Sequence, residues 1–203
     1  DQLVSKFEGV FKTDFETMLK STFRGCYELS ERLGKSINIQ FKGDEILISK
    51  DKYKAFVSSL VHVFRNAVDH GIEMPEHRVD IGKKEMGEIS CELESFEDKI
   101  VMRIKDDGKG VCIDELRSKA MSLLDIDPNE LDDHKMLQLV FSEGLTTLDQ
   151  ATHVSGRGIG LSSTYSEVKK LGGKMKIHSE KNLGCVIEIQ LPKRFDSITQ
   201  EAV

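Results

Sequence analysis

The sequence predicts an α/β chain, a two-layer sandwich in which a mixed, mostly antiparallel sheet carries helices on one face. Two observations lead there. Segments with two-residue apolar alternation come in adjacent pairs, at 37–41 with 46–48, at 87–95 with 99–106, and at 174–179 with 185–191. Segments with helical apolar spacing lie between these pairs and not between single strands. The order helix, hairpin, helix, hairpin, irregular region, helix, hairpin is not that of a doubly wound βαβ chain.

Residues 3–33 read as one long helix, with Leu3, Phe7, Phe11, Phe15, Leu19, Phe23, Cys26, Leu29 and Leu33 on a helical stripe and Gly34 as its stop. Residues 1–34 are therefore expected to form an N-terminal connector helix, its second half packed on the domain that follows. Ile37, Ile39 and Phe41 alternate, as do Ile46 and Ile48, and Lys42–Glu45 between them predicts a hairpin. The central helix runs from Asp51, read as its N-cap, to His70, with Gly71 at the end. Residues 74–84 read as a loop with one helical turn, and the hairpin of 87–95 and 99–106 turns at Glu97-Asp98. Residues 107–155 are irregular, with amphipathic pieces at about 114–124 and 132–141, and irregular segments this long are usually functional lids. A helix from Gly158 to Leu171 stops at Gly172-Gly173, and the last hairpin precedes a frayed tail at 193–203.

Composition narrows the function classes. With 38% hydrophobic and 32% charged residues the chain is an ordinary globular one. A net charge of −6 argues against nonspecific binding to nucleic acid or acidic membranes, so any polyanion must bind at a local site. No apolar run approaches the ~18 residues of a membrane span, and no signal-peptide pattern is read. Cys26, Cys91, Cys112 and Cys185 are scattered without metal-ligand spacing, as expected of reduced thiols in the cytoplasm. The start at Asp1 reads as that of a piece of a longer protein.

Four motifs carry chemistry. On the central helix His62 and Asn66 are four residues apart, one turn above the other. Asn66 offers a hard carbonyl oxygen suited to Mg²⁺ and His62 a nitrogen base or ligand. Asp106 stands where a strand leaves the sheet, followed by Gly108 and Gly110. A carboxylate there can accept from the exocyclic amine of a base, and the glycines let a flat ring approach the backbone. Phe141–Thr147 combines a glycine with two threonines inside the long irregular region, as a hinge over a ligand would. Gly156, Gly158 and Gly160, flanked by Ser155 and Arg157, open a helix whose N-terminal N–H groups can cradle phosphate.

Together these pieces resemble, in order and spacing, the ATP-binding domain of the superfamily shared by histidine kinases, gyrase-type ATPases, Hsp90 and MutL. His62–Asn66 is similar to its asparagine box, Asp106–Gly110 and Gly156–Gly160 to its two glycine boxes, and Phe141–Thr147 to its phenylalanine box. The run from His62 through Arg65, Asn66, Asp69, His70, Gly71 to Glu73, with Pro75, Arg78, Gly82 and Lys83, resembles chemotaxis histidine kinases of the CheA type.

The resemblance implies a Bergerat-type fold over residues 35–192, an ATP lid at about 112–155, and ATP with Mg²⁺ as cofactors. It implies that His62 and Asn66 are catalytic and hold the metal. It implies nucleotide contacts from Arg65, Asn66, Asp69, His70, Lys83, Asp106, Gly108, Gly110, Thr146, Thr147, Ser155, Gly156, Arg157, Gly158, Ile159 and Gly160. Two departures bear on turnover and closure: Glu115 follows the first glycine box where a basic residue is common, and Leu145 replaces a second phenylalanine. The partner implied is a histidine-containing phosphoacceptor domain, in cis or in trans, feeding a response regulator. His77, His134, His153 and His178 stand in no acceptor context, so the γ-phosphate is expected to go to a histidine elsewhere. Dimerisation through N-terminal or absent helices is a further expectation; contacts with nucleic acid or membrane are not. The competing reading is a nucleotide-gated interaction module with little phosphoryl transfer.

Overall fold

Apolar residues alternating along five strands build a sheet with one buried and one solvated face. The computed structural model describes residues 12–123, 131–142 and 160–193. Its first half contains β1 (Lys12–Asp14), α1 (Phe15–Arg32), β2 (Ile37–Gly43), β3 (Leu47–Ser49), α2 (Lys50–Asn66) and a π turn (Ala67–Gly71). There follow α3 (Pro75–Asp80), β4 (Gly87–Ser95), β5 (Lys99–Asp106), α4 (Ile113–Leu123) and α5 (Asp133–Gln138), which runs into a 3-10 turn (Leu139–Phe141). The last elements are α6 (Leu161–Lys170), β6 (Lys174–Glu180) and β7 (Gly184–Pro192).

The main sheet has the order β2-β4-β5-β7-β6, with β2 parallel to β4 and every other pair antiparallel. Ile89, Cys91, Leu93, Met102, Ile104, Ile187, Ile189, Met175 and Ile177 point into the core beneath the helices. The opposite face carries ion pairs between neighbouring strands, Lys105 to Glu92 at 2.5 Å and Arg103 to Glu94 and Glu188 at 2.8 and 2.9 Å. This is the two-layer arrangement the alternation predicts. Side chains occupy both sheet edges: the Ile39 N–H of β2 donates to the Tyr27 hydroxyl, and Gln138 Nε2 donates to the Ile177 carbonyl of β6.

The N-terminal prediction needs correction. Lys12–Asp14 is a strand, and the helix begins only at Phe15, because the Asp14 carboxylate accepts from Thr17 N at 3.0 Å and caps it. Residues 3–11 of the expected helix lie outside the described residues. From Phe15 the stripe holds: Phe15, Leu19, Cys26 and Leu29 are buried against α2. Edge-to-face contacts of Phe15 with Tyr53 and Phe56, and of Phe23 with Phe64, knit the two helices. Each such pair contributes ~0.5–1.5 kcal/mol beyond area burial.

The expected hairpin of 37–41 with 46–48 does not form. After Gly43, at φ 114°, the chain is tied to the end of β4: Asp44 N donates to Leu93 O, and Asp44 Oδ2 accepts from Ser95 N. β3 therefore leaves β2 and pairs antiparallel with β1 in a separate two-stranded ribbon. The central helix also differs at both ends. Ser49 and not Asp51 is the N-cap residue, and regular α-geometry stops at Asn66. The next five residues form the π turn, closed by Ile72 N donating to Ala67 O at 2.8 Å.

The hairpin of β4 and β5 has the predicted bounds. The predicted pieces at 114–124 and 132–141 are α4 and α5 with its 3-10 turn. The helix expected from Gly158 starts at Leu161 with Gly160 as its cap, and Thr164 Oγ1, fully buried, ties it to α2 by donating to Ser59 O.

Candidate functional site

The end of α2 and the end of β5 meet at one place because the π turn adds a residue to the helix just past Asn66. That extra residue brings His70 and Gly71 to the wall of a cavity of about 560 Å³. The turn leaves carbonyls without helical partners, and Lys35 Nζ meets two of them, Val68 O at 2.8 Å and Asp69 O at 2.5 Å. Lys35 can reach them because Gly34, at φ 67°, turns the chain back at the end of α1.

The floor is built backbone against backbone. Asp106, the last residue of β5, accepts on Oδ1 from Gly108 N at 3.0 Å, while Lys109 N donates to Gly71 O at 2.9 Å. A Cβ at Gly108 would lie 2.2 Å from Gly71 O, and one at Gly71 would lie 3.0 Å from Asp106 Oδ1. Only glycines allow these two loops to touch while leaving the carboxylate at the cavity. Burial pushes the Asp106 carboxyl up to about 6, with the charges of Asp107 and Glu73 adding to it against the hydrogen bond from Gly108.

The other walls carry charge. Lys109, Lys119 and Lys181 line the cavity together with Asn66, His70, His77, Glu115 and Asn182. Lys119 stands one helical turn beyond Glu115 on α4, so a cation reaches the wall although Glu115 occupies the earlier position. None of the three lysines, nor His77 or Asn182, was singled out from the sequence. Lys109 was legible in principle, between the two glycines of its motif, and Lys119 by its i, i+4 step from Glu115. Lys181 and Asn182 come from the turn between β6 and β7, where Asn182, at φ 63°, donates its N–H to Lys109 O.

Of the residues predicted for the site, Asn66, His70, Asp106 and Gly110 line the cavity together with Gly71. Gly108 supports Asp106 from below, and Gly160 caps α6, whose first residue Leu161 is on the wall. His62, Arg65 and Asp69 belong to the same helix end but do not line the cavity. Burial, aided by the charge of Arg65, holds the His62 imidazole below its usual value, so it is neutral at neutral pH. Lys83 sits behind the floor, its Nζ donating to Glu73 Oε1, Asp107 O and Gly108 O at 2.7, 2.8 and 2.7 Å. Thr146, Thr147, Ser155, Gly156, Arg157, Gly158 and Ile159 lie outside the described residues. Phe141, at the start of the third motif, stacks on Tyr165 of α6 with ring centroids 5.4 Å apart.

Chemically, the cavity sets a carboxylate acceptor between flat glycine surfaces at one side. A neutral amide, three ammonium groups and the Glu115 carboxylate also line it. That suits a ligand with a planar amine-bearing ring and a polyanionic tail.

Comparison with known proteins places the chain in a family and a fold. The sequence is similar to the CheA chemotaxis protein of Salmonella typhimurium, 34% identical over 166 residues, 81% of this chain and 25% of that protein. It is 31% identical to CheA of Bacillus subtilis over 187 residues, 91% of this chain and 28% of that protein. The chain thus spans about a quarter of the length of these relatives. The fold is that of the mycobacterial sensor histidine kinase MprB, with a TM-score of 0.54 at 16% identity, covering 89% of this chain and 95% of that one. Residues 57–194, from α2 to the end of β7, match the family described as histidine kinase-, DNA gyrase B-, and HSP90-like ATPase, and this chain belongs to that family.

Proposed function

We propose that the chain is the ATP-binding catalytic domain of a chemotaxis-type protein histidine kinase, carrying the γ-phosphate to a histidine on a separate domain. The observation that supports it best is the cavity lining, which combines a buried carboxylate, Asp106, held between Gly71 and Gly108, with Asn66 and three lysines, Lys109, Lys119 and Lys181. Its volume of about 560 Å³ is within the ~300–1,000 Å³ usual for small-molecule sites. Asp106 accepts from the adenine amine, and the lysines balance the phosphates. Residues 35–192 form the catalytic unit, and 112–155 its lid.

Among the described residues no group of three His, Cys, Asp or Glu side chains could hold a metal on its own. Mg²⁺ held by Asn66 and His62 would therefore take its other ligands from phosphate oxygens and water, as Mg²⁺ commonly does. When bound it neutralises charge on the transferring phosphoryl group. The chain's own part is to orient the nucleotide and keep His62 neutral as ligand or base. The partners are a phosphoacceptor domain in cis or trans and, through it, a response regulator, in the cytoplasm. Dimerisation would run through N-terminal helices. Among the described residues no helix is long and apolar enough to cross a membrane.

The test is phosphotransfer. The chain mixed with radiolabelled Mg·ATP should acquire no acid-labile label of its own, yet label a histidine-containing acceptor domain of a chemotaxis-type kinase added in trans. His62→Ala should abolish that transfer while some nucleotide binding survives. Acid-labile label on the chain itself would overturn this division of labour, and an acceptor that stays unlabelled while ATP alters its binding would replace this reading with the gated module.

A further inference from the structure

The largest side chain with no solvent exposure among the described residues is a charged one, Arg78 of α3. A buried guanidinium is tolerable only with its donors satisfied. Nη1 donates to Glu73 Oε2 at 2.9 Å, Nη2 to Asp107 Oδ2 at 2.7 Å and Nε to Lys84 O at 2.7 Å, with a longer contact from Nη1 to Asp107 O. Lys83 completes the network with its three bonds to Glu73 Oε1, Asp107 O and Gly108 O. Two cations and two carboxylates are thus balanced behind the cavity floor. Burial alone would push the Glu73 carboxyl up, but the bonds from Lys83 and Arg78 hold it below the usual carboxylate value.

Such a network adds little stability by itself, since apolar side chains of the same volume usually serve as well. Its geometric consequence is more specific. In a trans peptide the carbonyl of one residue and the N–H of the next lie on opposite edges of one rigid plane. Lys83 binds Asp107 O on the back edge of one plane, and the front edge is Gly108 N–H, which donates to Asp106 Oδ1 at 3.0 Å. Lys83 also binds Gly108 O on the back of the next plane, and the front edge is Lys109 N–H, which donates to Gly71 O at 2.9 Å. One ammonium therefore orients two successive peptides, and those peptides hold the two backbone loops that face the ligand.

We propose that Lys83, braced by Glu73 and Arg78, is a positioning residue for base selection: it fixes Asp106 and Gly71 in the pose that discriminates an adenine from other bases. The proposal rests on the nucleotide reading above and adds to it a role for residues that never touch the ligand.

Lys83→Met in the full chain tests it with two readouts. Without nucleotide, hydrogen exchange at the Gly108 and Lys109 amides should accelerate about tenfold. In calorimetry the Kd for Mg·ADP should rise about tenfold while that for Mg·GDP moves less than about threefold, contracting the selectivity ratio. Should this variant fail to melt cooperatively, Lys83→Arg takes its place. It keeps the charge, but a planar head cannot meet the same three oxygens. Unchanged exchange, an unchanged selectivity ratio, or equal loss for both nucleotides overturns the proposal. Wild-type chain that takes up no ADP would sink the nucleotide reading and base selection together, and the exchange measurement would still report separately whether Lys83 holds the loop.

Discussion

On the floor of the cavity the Gly71 and Gly108 backbones and the Asp106 carboxylate meet, whereas another wall is lined by Cys112, just before α4, and by Glu115 and Lys119 of that helix. The floor has no room to adjust: a single added carbon at Gly108 would lie 2.2 Å from a carbonyl oxygen. The wall is permissive, since Glu115 and Cys112 are exposed and Lys119 is half-buried. On the proposed nucleotide reading, base selection would depend on fixed geometry and phosphate binding on summed charge. The two should respond to mutation with different size and different salt dependence.

Substitutions on the floor should have the largest effects. Gly108→Ala forces apart the Gly71 and Asp106 loops, an overpacking of ~1–3 kcal/mol in the free protein. Because both ligand-facing groups move, Mg·ADP affinity in calorimetry should fall roughly a hundredfold, more than the accompanying loss of thermal stability accounts for. A variant that binds normally would mean the floor is softer than its contacts indicate.

Asp106→Asn comes next. On the proposed reading it places an amide where an adenine amine would need an acceptor, and it should cost ~1–3 kcal/mol of adenine-nucleotide binding and relax preference over guanine. The same variant tests the titration. With a folded value of about 6 against the ordinary 3.8, wild-type Asp106 binds its proton more tightly when the chain is folded. Stability is therefore lost as pH rises from the ordinary value through about 6, and the loss is complete above it. Urea melts across that interval should show wild type losing stability relative to Asp106→Asn as pH rises. Parallel curves would place the carboxyl at an ordinary value.

Asn66→Ala, at the border between floor and wall, should act through the metal. Its binding defect should be about tenfold with Mg²⁺ and shrink to about twofold when Mg²⁺ is left out. A defect independent of Mg²⁺ would move the metal away from Asn66. Glu115→Lys on the wall should have the smallest effect, tightening Mg·ATP by about threefold at low salt, with the gain fading as salt is raised. A large or salt-independent effect would show that the wall is as exacting as the floor.

Local pattern determined much of this molecule. The bounds of β4 and β5 follow from alternation and a short turn, and α1 from Phe15 follows from its apolar stripe and Gly34. Asn66, Asp106 and Gly110, which line the cavity, were legible as candidates because each stands at or just past the end of a regular element, where a side chain or bare backbone is free to face a cavity. Tertiary structure alone decided which strands pair. Alternation tells a strand which face is apolar and nothing about its neighbour, so Ile37–Phe41 reads the same whether it meets Ile46–Ile48 or, as it does, β4. The π turn depends on packing and on Lys35, more than thirty residues earlier in the chain. The arrival of Lys181 at the cavity, and the bonds from Lys83 to two peptides 24 and 25 residues away, follow no periodicity. Charges separated that far along the chain converge only once the sheet has brought α3 and the β5 loop together, and no local sequence pattern records that distance.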